Sequence, residues 1–405
     1  MSQAIEKLFS TVSDSYNDLP KEVWILSGIS FINRCGTMVL FFIAIYLSQY
    51  MNFDIVTTGR IVGFYGIGAI LGSFLGGILT DKKGAFFVQT LSLFCTAICF
   101  YSLEHLNSEF SFTIVLFFSG MFFDMIRPAN STAISQYCEP ETRVKAFVLE
   151  RQAINLGNSI GPALGGFLVV YGFHWLFRID SLTCILAFIL LWINFHDKKR
   201  TIKHSLNIKK SQSLSSPLKN RAFLIFLAIS FLIGICFFQI FSTYPIFMKS
   251  HYQLTEFKFG MIMSLNAILI ILFEMILANY AKKFDPLRVI GVGAFMMGIG
   301  FAILPFNSNY VFAIFAMSIW SIGEMISLPF MSAHIANMAN ENNRGKYLGI
   351  YSSIFTSSLA FAPMIGSLII DNIGYKALWV SIGVLGIIIW FLLEQIKPES
   401  ELREK

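Results

Sequence analysis

Apolar runs of about twenty residues recur along the whole of this 405-residue chain, each long enough as a helix to cross a hydrocarbon core about 30 Å thick. About twelve are present, near 23–49, 57–79, 85–103, 111–136, 146–170, 175–195, 222–248, 257–280, 287–306, 311–336, 347–370 and 377–396. A segment in hydrocarbon has to satisfy its own backbone N–H and C=O groups, so these runs are predicted as helices. The ten-residue alternation of a membrane β-barrel is missing. Charged residues make up 13% of the chain and hydrophobic residues 55%, against about 25% charged in a soluble domain. The chain therefore reads as an all-α membrane protein with twelve transmembrane helices.

Lysines and arginines orient it. With both termini cytoplasmic, the cytoplasmic turns carry Lys82, Lys83, Arg143, Lys145, Lys282, Lys283, Arg288, Arg344 and Lys346. The opposite loops and helix ends carry only Arg60, Arg178, Lys249, Lys258 and Lys376, the asymmetry of the positive-inside rule. The formal net charge of +6 thus reports topology, and no basic folded face for nucleic acid accompanies it. Glu6, Asp14 and Asp18 make the first twenty residues too polar for a cleavable signal peptide. The six cysteines, at 35, 95, 99, 138, 184 and 236, lack the spacing of a zinc site or a disulfide framework; small packing residues are the expectation.

The organisation reads as two six-helix bundles, 1–195 and 222–405, joined by the basic, serine-containing segment 196–221. That segment has no apolar face and reads as a flexible cytoplasmic linker able to rest on anionic headgroups. The halves resemble each other: Asp124-Met-Ile-Arg127-Pro128 aligns with Glu324-Met-Ile-Ser-Leu-Pro329, Arg143 with Arg344, Gly161-Pro162 with Ala362-Pro363, and Gly165 with Gly366. Partners stay about 200 residues apart, the mark of a parallel repeat. Such a repeat predicts a pseudo-two-fold relation between the bundles and a substrate site at the midplane between them.

Two motifs stand out. Within the fifth run lies Gly157-Asn-Ser-Ile-Gly161-Pro162-Ala-Leu-Gly165-Gly166. Its glycines four apart allow close backbone approach by another helix, and its proline bends the helix. Between the second and third runs lies Gly77-Ile-Leu-Thr-Asp81-Lys82-Lys83-Gly84, where a carboxylate can cap amides or pair with a neighbouring helix and a glycine permits a tight turn. Together with the repeat, these patterns resemble the major facilitator superfamily over nearly the whole chain, from about Val23 to Ile396. The first motif is similar to the fifth-helix antiporter motif of its exporters, and the second to its cytoplasmic loop signature. The resemblance implies that the loop latches the two halves in the outward-facing state. Two departures accompany it. Ala85 replaces the usual final basic residue of the loop motif, and no arginine precedes Gly120 on the fourth helix, where exporters usually carry one.

Ionisable side chains inside the runs are the candidates for chemistry, because charge near a bilayer centre is costly unless it meets water or a partner. Arg34 lies in the first run, Asp124 and Arg127 one turn apart in the fourth, Glu274 late in the eighth, and Glu324 mid-way along the tenth. Asp124 and Arg127 could equally neutralise each other as a structural pair. Glu274 and Glu324 lack a cation on their own helices, so each has to pair across helices, face water or hold a proton. Glu150 and Arg151 read as salt-bridge residues at a cytoplasmic helix end, and Arg178 and Asp180 as interfacial anchors. The proton-coupling and substrate cavity is expected to involve Asp124, Glu324 and Glu274 as carboxylates and Arg34 and Arg127 as counter-charges.

The function these features predict is secondary active transport by alternating access, with protons as coupling ion and export of amphipathic small molecules as the direction. A proton-coupled importer of a nutrient such as a peptide, sugar, nucleoside or metal chelate fits the same scaffold. No clustered metal ligands or activated nucleophile point to an enzyme, and no cofactor or metal is expected. The expected setting is the inner membrane of a bacterium, the expected partners are substrate, protons and lipid, and the expected state is a monomer.

Overall fold

The computed structural model describes residues 18–139, 142–196, 217–339 and 344–395. Among them are twelve helices long and apolar enough to span a bilayer. They are α1 Lys21–Tyr50, α2 Ile55–Lys83, α3 Ala85–His105, α4 Glu109–Tyr137, α5 Lys145–Tyr171, α6 His174–Phe195, α7 Arg221–Phe241, α8 Glu256–Ala281, α9 Pro286–Phe306, α10 Tyr310–Met338, α11 Lys346–Ile373 and α12 Tyr375–Gln395. Each predicted run falls on one of them, except that the seventh, 222–248, runs past α7 into a separate short helix, Thr243–Ser250. Most of the linker expected at 196–221 lies outside the described residues, as do the polar first seventeen residues.

The helix ends follow local chemistry. Side chains of Asp54, Ser108, Asn220, Thr255, Asp285 and Asn309 accept N–H bonds from the first turns of α2, α4, α7, α8, α9 and α10, satisfying donors that a helix start leaves free. The Thr57 N–H holds the Asp54 carboxyl, just outside α2, below the usual carboxylate range. Gly84, Gly172 and Gly374 have φ of 87°, 119° and 107°, a left-handed region that favours glycine. Gly172 and Gly374 occupy the same turn in the two halves, just before α6 and α12.

The first helix of each half is broken, which the apolar runs do not foretell. α1 interrupts at Gly36–Thr37, and α7 ends at Phe241 before a short helix, Thr243–Ser250, resumes. At the first break the fully buried carboxylate of Asp180 on α6 accepts the backbone N–H of Val39 at 2.7 Å and of Met38 at 3.4 Å. This corrects the expectation of an interfacial anchor: Asp180 caps a helix start inside the bundle, and Arg178 alone stays half-exposed, forked onto Glu104. Asp180→Ala strands two buried donors at about 1–3 kcal/mol each, so it should lower the thermal midpoint of the purified protein clearly, while Asp180→Asn, which keeps an acceptor, should lower it much less. Equal losses in fluorescence-detected melting would show that the cap is not what the carboxylate supplies.

Packing follows one pattern in both halves. In the first, α2 packs on α4, α3 on α4 and α6, and α1 on α5 and α6. In the second, α8 packs on α10, α9 on α10 and α12, and α7 on α11 and α12, each pairing displaced by six helices. Between the halves the main contacts are α2 with α11 and α5 with α8, which are each other's counterparts under the same displacement.

Glycines set these crossings. On one face of α2, a Cβ added to Gly63 would lie 2.8 Å from the Ala360 carbonyl of α11, and one added to Gly59 2.6 Å from the Pro363 carbonyl. On another face, Gly68, Gly72 and Gly76 press against the α4 backbone at Phe117, Met121 and Met125. These contacts between the halves gather at the end where α1 and α5 finish and α2 and α8 begin. Phe41–Phe241 and Phe42–Phe259 ring contacts, with centroids 5.1 and 5.4 Å apart, add to the seal there. The opposite end carries Lys82, Lys83, Lys145 and Lys282.

Candidate functional site

Below the seal, toward the basic end, a cavity of about 390 Å³ is lined by both halves. Its charged lining is Arg34 of α1 with Asp124 and Arg127 of α4. Around them stand aromatic rings of both halves, among them Phe41, Tyr65, Phe123, Phe241 and Phe355, and the polar tips of Thr37, Asn158 and Ser332.

The helical spacing on α4 brings Arg127 Nε to 2.8 Å from Asp124 Oδ1. Asp124 is 3% exposed, while the Arg127 side chain is about half exposed. The separation is that of an ion pair, yet Asp124 Oδ1 accepts no aligned hydrogen bond. Arg34 is placed by the last turn before the α1 break, where Thr37 Oγ1 donates to its carbonyl at 2.6 Å. Its guanidinium lies over the Phe123 ring, 4.6 Å from the centroid. Asp124, Arg127 and Glu150 are its charged neighbours, but among the described residues no carboxylate comes within ion-pair distance of it.

Prolines add acceptors at the same depth. A proline removes the N–H that would serve the carbonyl four residues earlier. Pro128, Pro162 and Pro363 therefore free the carbonyls of Asp124, Asn158 and Leu359, all three cavity-lining residues.

The other two candidate carboxylates lie elsewhere. Glu324 is between α10 and α8, where Asn266 Nδ2 donates to it at 2.9 Å and to Ser321 Oγ at 3.0 Å. It does not line the cavity, and its charged neighbours are Glu274 and Arg151. Glu274 on α8 forms an ion pair with Arg151 on α5, so this pair bridges the halves. The sequence pattern places Asp124 and Glu324 at related positions; the structure does not bring them into one cavity.

Glu150 departs from the expectation of a salt bridge at a helix end. It is 8% exposed, accepting Ser30 Oγ at 3.0 Å and Asn130 Nδ2 at 3.2 Å, with Gln89 donating to Asn130 at 2.6 Å. Its Oε2 has no partner among the described residues. The network ties α1, α3, α4 and α5 together. Ser30, Gln89 and Asn130, each a polar residue inside an apolar run, were the signal for it.

The glycine motif of α5 divides over two faces. A Cβ on Gly157 would meet Arg34 Cβ at 2.6 Å, one on Gly161 the Cys35 carbonyl at 3.1 Å, and one on Gly165 the Phe42 ring at 2.8 Å, all on α1 in the same half. Gly166 and Pro162 face α8 instead: a Cβ on Gly166 would lie 2.5 Å from the Glu256 carbonyl, and the Pro162 carbonyl abuts Gly260. In the loop motif Gly84 makes the expected turn, its N–H donating to Thr80 at 2.9 Å. Asp81, Lys82 and Lys83 are exposed, Asp81 has no hydrogen bond or ion pair among the described residues, and a Cβ on Gly77 would meet open space.

Comparison with known proteins accords with this architecture. The sequence model of the Major Facilitator Superfamily matches residues 26–329 and 242–405. The uncharacterized MFS-type transporter YqjV of Bacillus subtilis (strain 168) is 26% identical over 379 residues, covering 89% of this chain and 88% of that one. The Na(+), Li(+), K(+)/H(+) antiporter of Planococcus maritimus is 22% identical over 371 residues, covering 84% and 87%. In fold, the crystal structure of the nucleoside transporter NupG superposes with a TM-score of 0.75 at 14% identity, over 93% of this chain and 98% of that one. Its helices, its motifs and its match to the family model along nearly its whole length place this chain in the major facilitator superfamily.

Proposed function

We propose that the chain is a proton-coupled secondary transporter that exports amphipathic small molecules by alternating access. The observation that carries this is a cavity lined by both halves, closed at one end, with a buried carboxylate at its wall paired to a half-exposed arginine. Residues 1–195 and 222–405 are the two rocking bodies, related by a pseudo-two-fold axis and joined by 196–221. The positive-inside distribution supports a cytoplasmic basic end with both termini inside; in this reading the setting is the inner membrane of a bacterium and this conformation faces inward. Asp124 is the coupling carboxylate, Arg127 and Arg34 its counter-charges, and Glu274 and Glu324 a second titratable group at the α5–α8 contact. Export is supported by the glycine motif of α5 and by the antiporter among the relatives.

Import is the second reading, and the cavity's charge favours it. Two guanidinia face one carboxylate. A proton on Asp124 would free Arg127 and strengthen the hold on an acidic ligand, which is the linkage of co-transport. Transport measured in inverted and right-side-out vesicles, under an imposed pH gradient and with a panel of compounds, decides between them. Uptake into inverted vesicles that are acidic inside supports export; proton-driven uptake only into right-side-out vesicles overturns it.

The exposed loop carries its own expectation. Asp81 is assigned to the state in which the basic end closes, so Asp81→Asn should slow turnover several-fold and leave ligand affinity near wild type. Changed affinity at unchanged turnover would remove the latch role.

A further inference from the structure

We infer that the transported molecule carries an acidic group, with Arg34 as its counter-charge. The inference rests on the cavity being the transport site; with Asp124 as the proton carrier it favours the import reading, because a proton there strengthens the hold on an acid.

Arg34 is the unusual group. A guanidinium deep in a membrane bundle is normally paired with a carboxylate or with backbone carbonyls. Here the face of Arg34 is covered by Phe123, while none of its N–H donors is taken by a described residue. Those donors lie at the edge of the guanidinium plane, free to meet a planar or tetrahedral anion two at a time. Arg127 is partly spent on Asp124. The lining therefore offers one guanidinium in excess, and a cationic ligand would meet two positive charges around the only carboxylate of that lining.

The rest of the lining says what accompanies the acid. Phe41, Phe237, Phe238, Phe241 and Phe355 come from both halves and give an apolar, aromatic-sized wall. At about 390 Å³ the space matches the lower range of sites for drug-sized molecules. An aromatic or aliphatic body with one carboxylate, sulfonate or phosphate-type head fits that division between wall and guanidinium.

Binding to the purified full-length protein tests this with three matched probes: 2-naphthalenesulfonate, a permanent anion; 2-naphthalenesulfonamide, neutral; and trimethyl(2-naphthyl)ammonium, a permanent cation. The sulfonate should bind about ten- to hundredfold tighter than the other two by equilibrium dialysis, the range of a charge-assisted hydrogen-bonded contact. Arg34→Gln should erase that preference and leave the sulfonamide unchanged, and Arg34→Lys should restore part of it. Asp124→Asn should tighten sulfonate binding, because it releases Arg127. A preference for the cation, equal binding of all three, no saturable binding of any, or an Arg34→Gln loss shared equally by all three overturns the inference. Failure of the transport reading looks different: the sulfonate binds through Arg34 but does not move across vesicles. Vesicles that move the neutral or cationic probe and ignore the sulfonate keep the transporter and discard the acidic substrate.

Discussion

Asp124→Asn is expected to abolish uphill transport, reducing proton-driven accumulation to the level of downhill exchange, while expression and membrane insertion stay at wild-type levels. Asparagine keeps the shape of the side chain and removes its ability to exchange a proton. The substitution also dissolves the ion pair with Arg127, whose guanidinium is about half exposed and can remain solvated in the cavity. The fold should therefore survive, since an exposed partner left alone costs far less than a buried one. Ligand binding should persist or strengthen, and exchange of labelled for unlabelled substrate across vesicles should continue without a pH gradient. This separation of binding from coupling identifies a proton carrier. If the Asn variant accumulates substrate like wild type, Asp124 and Arg127 are a structural pair and the proton travels elsewhere, with Glu150 and the Glu274–Glu324 region the next groups to test.

The fold was legible because a bilayer leaves a chain few choices. Runs of about twenty apolar residues have to be helices, and their number, the basic turns and the repeated Asp124/Glu324 and Pro162/Pro363 blocks carried most of the architecture. Partnership across helices was not legible. Glu150 and Arg151 are adjacent in sequence and were read together, yet successive residues on a helix face about 100° apart. One turns into the first half to meet Ser30 and Asn130, and the other turns across to Glu274 in the second. Asp180 was misplaced for a related reason. Its position near a helix end pointed to headgroups, and only the break in α1 at Gly36–Thr37, a tertiary feature, supplies the two N–H groups that hold it inside. The glycines of α2 are a different case. Gly68, Gly72 and Gly76 stand four apart, the same close-packing signal as in α5, so a close crossing on that face of α2 was available from spacing, while its partner α4 was not.

The α5–α8 contact gives the second large expectation, and Gly161 lies outside that contact. A side chain at Gly161 would press on α1 within its own half, with the nearest atom 3.1 Å from the added Cβ. Gly260 on α8 instead faces the Pro162 carbonyl across the halves, closer than a Cβ tolerates, and backbone cannot swing aside as a flexible side chain does. Gly260→Leu should therefore force α5 and α8 apart at the sealed end. Overpacking of this kind costs about 1–3 kcal/mol, enough to shift a two-state balance roughly five- to hundredfold away from the sealed conformation. The change is readable as distance. Spin labels at Asn107 and Ser308, exposed loop positions on that end of each half, should move apart in Gly260→Leu, and net transport should fall by a similar factor. Gly349→Leu is the control, because a Cβ there meets nothing within 4 Å, and both its label distance and its transport should stay near wild type. An unchanged Asn107–Ser308 distance in Gly260→Leu would mean that the α5–α8 seam does not set the balance between the two states.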